Sequence, residues 1–327
     1  MDLYVGVDLG GTNLHAAIAD ADGRIVAERT EPTLSHEGPP GVLMRMARLV
    51  HQLAETAGRR PVACGVGVPG FLNLAAGTTK FLPNLPTNWI DVPVREMLAA
   101  QIGCPVFLLN DVRTATLGEL VFGHGRQANT MAFFSIGTGI GGGIVVDGKL
   151  RLGPVGAAGE LGHQIILPDG PRCGCGNRGC LETLASASAI AAEGVRLLLS
   201  GQTPKLYEIA GGDPGQVNTK TMAQAAREGD SRVAEAIVRA GQYLGIGVVN
   251  VVVTLHPDLV VVGGGAAAIG DLLFDTVRTT VQQRIGMFPA DDMRIEPSLL
   301  GERAGILGAV ALAIRGEQLT VRCCHLL

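Results

Sequence analysis

The sequence lacks the features that mark nucleic-acid-binding and membrane proteins. It has no run of lysines and arginines, and its formal net charge is −4, whereas nucleic acids and anionic membranes require a concentrated basic surface. The N-terminal residues carry acid where a signal peptide would be basic. The most apolar stretch, 248–262, is interrupted by Asn250, His256 and Asp258, so it predicts no membrane span. These absences exclude nucleic acid and membranes as main partners and are compatible with a small molecule.

The sequence also lacks a secreted disulfide framework and an interdomain linker. Of seven cysteines, three lie in one short cluster, and Cys64 and Cys104 lie in apolar, strand-like surroundings. This pattern is typical of a reducing cytosol, so we expect a cytoplasmic protein. Cys323 and Cys324, in the C-terminal tail, support no interpretation. No Pro-rich or Ser-rich linker divides the 327 residues, a length sufficient for two domains.

A compact set of soft ligands is the most informative feature present. His163, Cys173, Cys175 and Cys180 lie close together and are interspersed with glycines. Three thiolates and one imidazole make a closed tetrahedral zinc site of the structural type, with no position open for water. The alternatives are a disulfide or three unrelated thiols. The residue types and their spacing favour structural zinc.

Hydrophobic patterns predict an α/β protein that contains an internal duplication. A β-meander at 3–28, with an Asp22-Gly23 turn, is followed by a similar pattern at 131–148, with an Asp147-Gly148 turn. Helix and strand alternate after each meander, which is typical of α/β folds. The predicted helices are 42–56, 112–121, 181–199, 231–249 and 272–285, and the other predicted strands are 62–68, 106–109 and 259–262. We predict a small domain at 1–111, rejoined by a C-terminal helix within 304–327, a larger domain at 112–303, and a cleft between them.

Both meanders carry a glycine loop, at 8–12 and at 137–143. Each loop joins two strands, so neither is a Walker A loop or a dinucleotide fingerprint, which require a following helix. Glycines let backbone N–H groups approach phosphate oxygens, Thr12 and Thr138 add hydroxyl donors, and Asp8 can face Mg²⁺. Either loop alone is equally explained by turn chemistry. The pair favours a bound nucleotide.

Other residues indicate where chemistry would occur. Asp111 follows the strand 106–109, a position where α/β proteins place reactive groups, and is the candidate base; the alternative is a helix N-cap. Glu160 and Glu182 flank the zinc cluster, where bidentate acceptors suit the adjacent hydroxyls of a sugar; the alternative is ordinary surface carboxylates. The run 263–265 either receives a nucleoside or makes a tight turn.

In order along the chain, these motifs resemble the ROK family of bacterial sugar kinases and repressors. The resemblance covers nearly the whole sequence and rests on Asp8-x-Gly-Gly-Thr12, Asn110-Asp111, the loop 137–143, Glu160-Leu161-Gly162-His163, the run from Cys173 to Glu182, and the glycines at 263–265. It implies the actin-like ATPase (ribonuclease H-like) fold. It also implies Mg·ATP as phosphoryl donor, structural zinc, and a homodimer or tetramer.

The resemblance further implies a role for each matching residue. Asp111 matches the base that deprotonates the sugar 6-hydroxyl, and His163 is expected to bind zinc through one ring nitrogen and the sugar through the other. The implied sugar contacts are Gly70, Asn84, Asn110, Asp111, Glu160, His163 and Glu182. The implied nucleotide contacts are Asp8, Gly10, Gly11, Thr12, Gly137, Thr138, Gly139, Gly264 and Gly265.

Two departures from the pattern bear on which sugar is bound. Thr87 and Asn88 stand where the glucokinase branch has a glycine before Trp89, and Val112 and Arg113 stand where small residues are more usual. The run 181–186 resembles the glucokinase branch, so we expect glucose. The alternatives are N-acetylmannosamine, mannose, fructose or allose as substrate, polyphosphate as donor, or an inactive sugar sensor. The chain starts directly in its first strand, so no preceding DNA-binding domain is expected.

Overall fold

The computed structural model describes residues 2–82, 85–289, 292–318 and 320–321. Two compact units are present: Met1–Ala128 with Gly143–Gly159 and Glu302–Leu327, and Asn129–Gly142 with Glu160–Gly301. The sequence-based boundary at Asp111 falls at the first residue of a helix that belongs to the first unit. The domain limits 1–111, 112–303 and 304–327 stay a prediction.

The elements alternate as an α/β chain. The strands are β1 (Tyr4–Leu9), β2 (Asn13–Ala19), β3 (Ile25–Pro32), β4 (Ala63–Val68), β5 (Phe71–Asn73), β6 (Thr78–Phe81), β7 (Val106–Asn110), β8 (Met131–Ile136), β9 (Ile140–Val146), β10 (Lys149–Arg151), β11 (Leu259–Gly263), β12 (Arg294–Pro297) and β13 (Thr320–Val321). The helices are α1 (Gly38–Thr56), α2 (Val94–Ile102), α3 (Asp111–Phe122), α4 (Glu182–Ala185), α5 (Ala187–Leu199), α6 (Pro204–Ile209), α7 (Thr219–Arg227), α8 (Ser231–Leu255), α9 (Asp271–Arg284) and α10 (Ala304–Arg315).

The first unit is built on a five-stranded sheet in the order β3-β2-β1-β4-β7. The predicted N-terminal meander is confirmed, because β1, β2 and β3 pair antiparallel. β4 and β7 continue the sheet in parallel with β1. The C-terminal ends of these three parallel strands therefore meet at one edge, as open α/β sheets arrange their binding residues. This edge carries Asp8, Gly70 and Asn110.

Helices cover this sheet with apolar faces. α1 buries Val42, Met46, Leu49 and Leu53, a spacing of one helical face. α10 packs on β1, β4 and α3, and glycines permit a close approach. A Cβ at Gly308 would lie 1.7 Å from the Thr114 carbonyl oxygen, closer than any real contact.

The second meander differs from its prediction in where the loop ends. β9 begins at Ile140, so the loop between β8 and β9 comprises only 137–139 and not 137–143. Glycines 141–143 are strand residues, and Gly143 is required because a Cβ there would lie 2.1 Å from Thr116 Oγ1. The predicted Asp147-Gly148 turn is confirmed: both residues have positive φ, as a tight hairpin between β9 and β10 needs.

In the second unit, β12, β11 and β8 lie side by side and run parallel. The predicted helix 181–199 is interrupted at Ser186, whose ψ of 160° is extended and whose hydroxyl accepts from the Ala189 N–H to cap α5. The segment after Gly265 forms one 3₁₀ turn rather than a helix, and α9 begins at Asp271.

One helix, α8, is long and apolar enough by length and composition to cross a membrane. Val233, Ile237, Leu244 and Val248 are nevertheless buried within the protein. The helix packs against α5, α7 and α9. It is a core helix of the second unit.

Candidate active site

The side chains of the cysteine and histidine cluster lie close enough together to hold one metal ion. The ligand atoms of His163, Cys173, Cys175 and Cys180 all lie within 4.8 Å of one another. Cys173 Sγ is 3.6 Å from His163 Nδ1, and Cys175 Sγ is 3.6 Å from Cys180 Sγ. Tetrahedral zinc with bonds of about 2.3 Å to sulfur and about 2.0 Å to nitrogen separates its ligands by about 3.5–3.8 Å, whereas a disulfide requires about 2.05 Å. The donor set fits zinc and excludes the disulfide alternative.

Backbone hydrogen bonds and glycines shape the cluster. The Cys173 N–H donates to the Asn177 carbonyl at 2.8 Å, and the Gly176 N–H donates back to the Cys173 carbonyl at 3.0 Å. Gly176 has a φ of 96°, and a Cβ at Gly179 would lie 1.5 Å from the Leu167 carbonyl oxygen. Only glycine tolerates these conformations and contacts. The turn that presents the thiols is thus determined locally by sequence.

Glu182 connects the cluster to the second glycine loop. It is the first residue of α4; one carboxylate oxygen lies 3.6 Å from Cys173 Sγ, and the other accepts from the Ile140 N–H at 2.9 Å. A Cβ at Gly139 would lie 2.2 Å from that second oxygen. Sequence reasoning anticipated Glu182 only as a sugar contact. The contact with the loop is a structural role that sequence spacing did not reveal.

His163 and Glu160 belong to one short turn. Glu160 precedes the 3₁₀ turn Leu161–His163, and its carbonyl accepts from the His163 N–H at 3.0 Å. His163 faces the cluster through Nδ1, which leaves Nε2 as its other ring nitrogen. The tautomer of a ligating histidine is set by what its second nitrogen meets.

At the start of α3, the residue that caps the helix is not the candidate base. Asn110, not Asp111, is the N-cap, because Asn110 Oδ1 accepts from the Val112 and Arg113 N–H groups at 3.1 and 3.2 Å. Asp111 is the first helical residue; one carboxylate oxygen lies 2.8 Å from the Val112 nitrogen. An anion at this position is stabilised by the helix dipole. The N-cap role that was the alternative for Asp111 is therefore filled by Asn110.

Asp8 lies at the end of β1, near Asp111. Burial, together with the negative charge of Asp111, raises the pKa of Asp8 to about 7. Its carboxylate packs against the start of α10, because a Cβ at Gly305 would lie 2.6 Å from Asp8 Oδ2. Two carboxylates so placed attract a cation or share a proton.

Both glycine loops are tight hairpin connections. In the first, the Gly10 N–H donates to the Asn13 carbonyl at 2.9 Å, and the Gly10 carbonyl accepts from the Thr33 hydroxyl at 2.7 Å. In the second, the Gly137 N–H donates to the Gly139 carbonyl at 2.9 Å. Gly11, Thr12, Thr138 and Gly139 lie at the surface, wholly or partly exposed.

The remaining predicted residues fall in different surroundings. Gly264 and Gly265 follow β11 and are exposed; Gly264 has a φ of 85° and lies against Ile136, so the tight-turn explanation accounts for that glycine. Gly70 lies in the turn after β4, and its carbonyl accepts from Asn110 Nδ2 at 3.1 Å. Asn84, Cys323 and Cys324 lie outside the described residues.

Sequence reasoning gave no structural role to one residue beside the candidate base. Arg113 is buried, with 2% of its surface exposed, and its guanidinium donates to Asn110 Oδ1. The only signal in the sequence was its departure from the small residues usual at that position.

The first unit carries two carboxylates and a hairpin glycine loop at one sheet edge, and the second unit carries a hairpin glycine loop and a zinc-type cluster. These features and the α/β topology define the class of actin-like ATPase folds. The chain belongs to the ROK family, whose model matches residues 4–316. The family prediction is confirmed.

Similar proteins include both enzymes and regulators. A glucokinase of Thermotoga maritima is 36% identical over 319 residues, covering 94% of this chain and 96% of that protein. A crystal structure of a ROK family glucokinase from Streptomyces griseus in complex with glucose and AMPPNP has a TM-score of 0.83 at 30% identity, covering 96% of this chain and all of that one. A xylose repressor of Caldicellulosiruptor bescii is 31% identical, covering 95% of this chain and 77% of the repressor. The predicted fold class is confirmed.

Proposed function

We propose that this chain is an ATP-dependent glucokinase that phosphorylates glucose at its 6-hydroxyl. The similarity to glucokinases over nearly the whole chain supports the activity. The observation that carries the mechanism is the position of Asp111, which is the first residue of α3 directly after the end of β7, next to the capping residue Asn110.

In this proposal Asp111 accepts the proton of the 6-hydroxyl as the sugar oxygen attacks the γ-phosphorus of ATP. The new phosphorus–oxygen bond forms as the bond to the β,γ-bridging oxygen breaks, and ADP leaves. Phosphoryl transfer depends mainly on alignment and charge stabilisation, so a correctly placed carboxylate is sufficient as base. Domain closure would exclude the water that otherwise hydrolyses ATP.

The proposed sugar contacts are Gly70, Asn84, Asn110, Asp111, Glu160, His163 and Glu182. The proposed nucleotide contacts are Asp8, Gly10, Gly11, Thr12, Gly137, Thr138, Gly139, Gly264 and Gly265. Mg²⁺, when bound, neutralises charge on the phosphates, and Asp8 would face it. Zinc would be held by His163, Cys173, Cys175 and Cys180 and would keep the sugar-contacting segment rigid. We further propose a cytoplasmic homodimer or tetramer.

A sugar sensor is the second candidate, because repressors also align with nearly the whole chain. Such a sensor would bind a sugar without transferring phosphate. Retention of Asp8, Thr12, Asp111 and both loops favours the kinase.

The test is ADP release from Mg·ATP with glucose, N-acetylmannosamine, mannose, fructose, allose or no sugar, in parallel with Asp111→Asn. We expect turnover with glucose, a loss of roughly 10²–10⁴-fold in the variant, and unchanged glucose binding by calorimetry, because only the proton acceptor is removed. Undiminished turnover in the variant would remove Asp111 from the mechanism. Inactivity with every sugar would indicate a sensor or a polyphosphate donor.

A further inference from the structure

Arg113 is a buried cation that donates hydrogen bonds to two neighbouring groups. Its Nε and Nη2 both donate to the Ala158 carbonyl oxygen, at 3.2 and 3.0 Å, and its Nη1 donates to Asn110 Oδ1 at 3.0 Å. Burying a guanidinium is costly unless its hydrogen bonds are well made. Arg113 lies two residues after the candidate base Asp111, so these hydrogen bonds are made beside that base.

The contact with Asn110 determines which way its amide faces. Asn110 Oδ1 accepts from the Val112 and Arg113 N–H groups and from the guanidinium, while Nδ2 donates to the Gly70 carbonyl at 3.1 Å. A flipped amide would place its NH₂ group against three donors. Nδ2 carries two hydrogens, and the second meets no acceptor among residues 2–82, 85–289, 292–318 and 320–321.

The contact with Ala158 anchors the segment 153–159, which lies outside regular secondary structure. Residues 153–159 form no helix or strand, and Gly153, Gly156 and Gly159 have φ of 68°, 77° and 88°. Gly156 lines a small cavity together with Gly70, Asn110 and Arg113. The planar fork of arginine can hold one carbonyl with two donors while a third donor reaches another group, which lysine cannot do.

We propose that Arg113 is a positioning residue for sugar recognition, which rests on the proposed kinase function. It fixes the Asn110 amide so that Nδ2 offers an N–H to a sugar hydroxyl oxygen, and it anchors the 153–159 segment to the start of α3. Arg113 itself does not touch the reacting atoms.

The first test is Arg113→Lys, which keeps the charge and removes the fork. We expect the glucose KM to rise by up to roughly tenfold, the factor that corresponds to losing one hydrogen bond between the neutral Asn110 amide and a sugar hydroxyl. The kcat is expected to stay within about threefold and the ATP KM within about twofold, because the base and the phosphate loops are untouched. The matched control is Arg278→Lys, since Arg278 Nε and Nη2 make the same fork to the Ile295 carbonyl, at 3.2 and 2.9 Å, in the second unit.

A double-mutant cycle separates positioning from general damage. Asn110→Ser keeps a capping oxygen but removes the amide N–H. If Arg113 acts through Asn110, Arg113→Lys raises the glucose KM by less than about twofold in the Asn110→Ser background. A tenfold rise in both backgrounds would overturn the proposal, as would an unchanged KM in the single variant. Should Arg113→Lys fail to fold, Arg113→Gln takes its place in the same cycle.

These results also distinguish a failure of the proposed kinase function from a failure of the positioning role of Arg113. A wild-type protein that phosphorylates no sugar would defeat the proposed function and this inference together. A wild-type kinase in which the Arg113 variants behave like the Arg278 control would defeat only the inference.

Discussion

At the scale of single residues, the structure gives two side chains roles that differ from those considered from the sequence. Asp111 was equally explained as base or cap, and the structure gives the cap to Asn110. Glu182 was predicted to contact the sugar, and in the structure its carboxylate accepts from the Ile140 N–H beside the second glycine loop. Substitutions at these positions will therefore have more than one effect.

Asp8 gives a prediction about pH at this scale. The pKa of Asp8 is raised to about 7 by burial and by Asp111, whereas an unfolded aspartic acid titrates near about 3.9. The contribution of this group to stability is therefore complete below about pH 4 and is lost as the pH rises through about 7. Without added Mg²⁺, Asp8→Asn should melt about 2–4 °C above the wild type at pH 8 and at the same temperature at pH 4.

Melting temperatures measured from pH 4 to pH 8 check this prediction. The matched control is Asp22→Asn, since Asp22 is exposed in the Asp-Gly turn and asparagine suits that turn equally well. A stabilisation by Asp8→Asn that is independent of pH would show that its proton is not responsible.

At the scale of elements, the zinc-type cluster is a small unit that organises its neighbours. Cys173 lies near both His163 Nδ1 and a Glu182 oxygen, and Glu182 in turn contacts the strand β9. Loss of one zinc ligand should therefore disturb both the start of α4 and the second glycine loop, because the contacts of Glu182 depend on the position of the ligand Cys173.

Cys175→Ser tests this coupling. We expect the variant to lose zinc on dialysis against a mild chelator, and its glucose KM to rise roughly tenfold or more. Zinc content by elemental analysis and steady-state kinetics are the measurements. Cys104→Ser, which changes a cysteine outside the cluster, should leave both quantities unchanged. Normal glucose affinity in zinc-free protein would refute the link.

The contact between α3 and α10 gives a second prediction for elements. At Gly308 an added methyl group would collide with the Thr114 carbonyl, so the two helices would have to separate. Gly308→Ala should lower the free energy of unfolding by roughly 1–3 kcal/mol, despite the better helix propensity of alanine.

Urea unfolding curves would measure this difference. Gly286→Ala is the control, because nothing lies within 4 Å of a Cβ there; its stability should change by less than about 0.5 kcal/mol. Equal effects of the two substitutions would mean that the helices tolerate wider spacing.

At the scale of the whole molecule, the sequence predicted the fold and its main elements because their signals are local. The meander strands, the paired Asp-Gly turns and α10 follow from alternation, turn chemistry and helical spacing. The break at Ser186 and the early start of β9 were missed, because a serine cap and glycines inside a strand are recognised only from their partners. Arg113 was noticed only as a departure from the family pattern, and its hydrogen bond to the Ala158 carbonyl was not predicted because the two residues are distant in sequence.

The path of the chain has a consequence for biosynthesis. The first unit combines Met1–Ala128 with Glu302–Leu327, and α10 packs on β1 and β4, which are among the first strands to be made. A nascent chain leaves the ribosome N-terminus first, at about 5–20 residues per second. At this rate, some 15–60 s pass between the synthesis of β1 and the synthesis of α10, which covers one face of the sheet. During that interval the apolar side chains on this face lack the cover that α10 gives them in the folded protein.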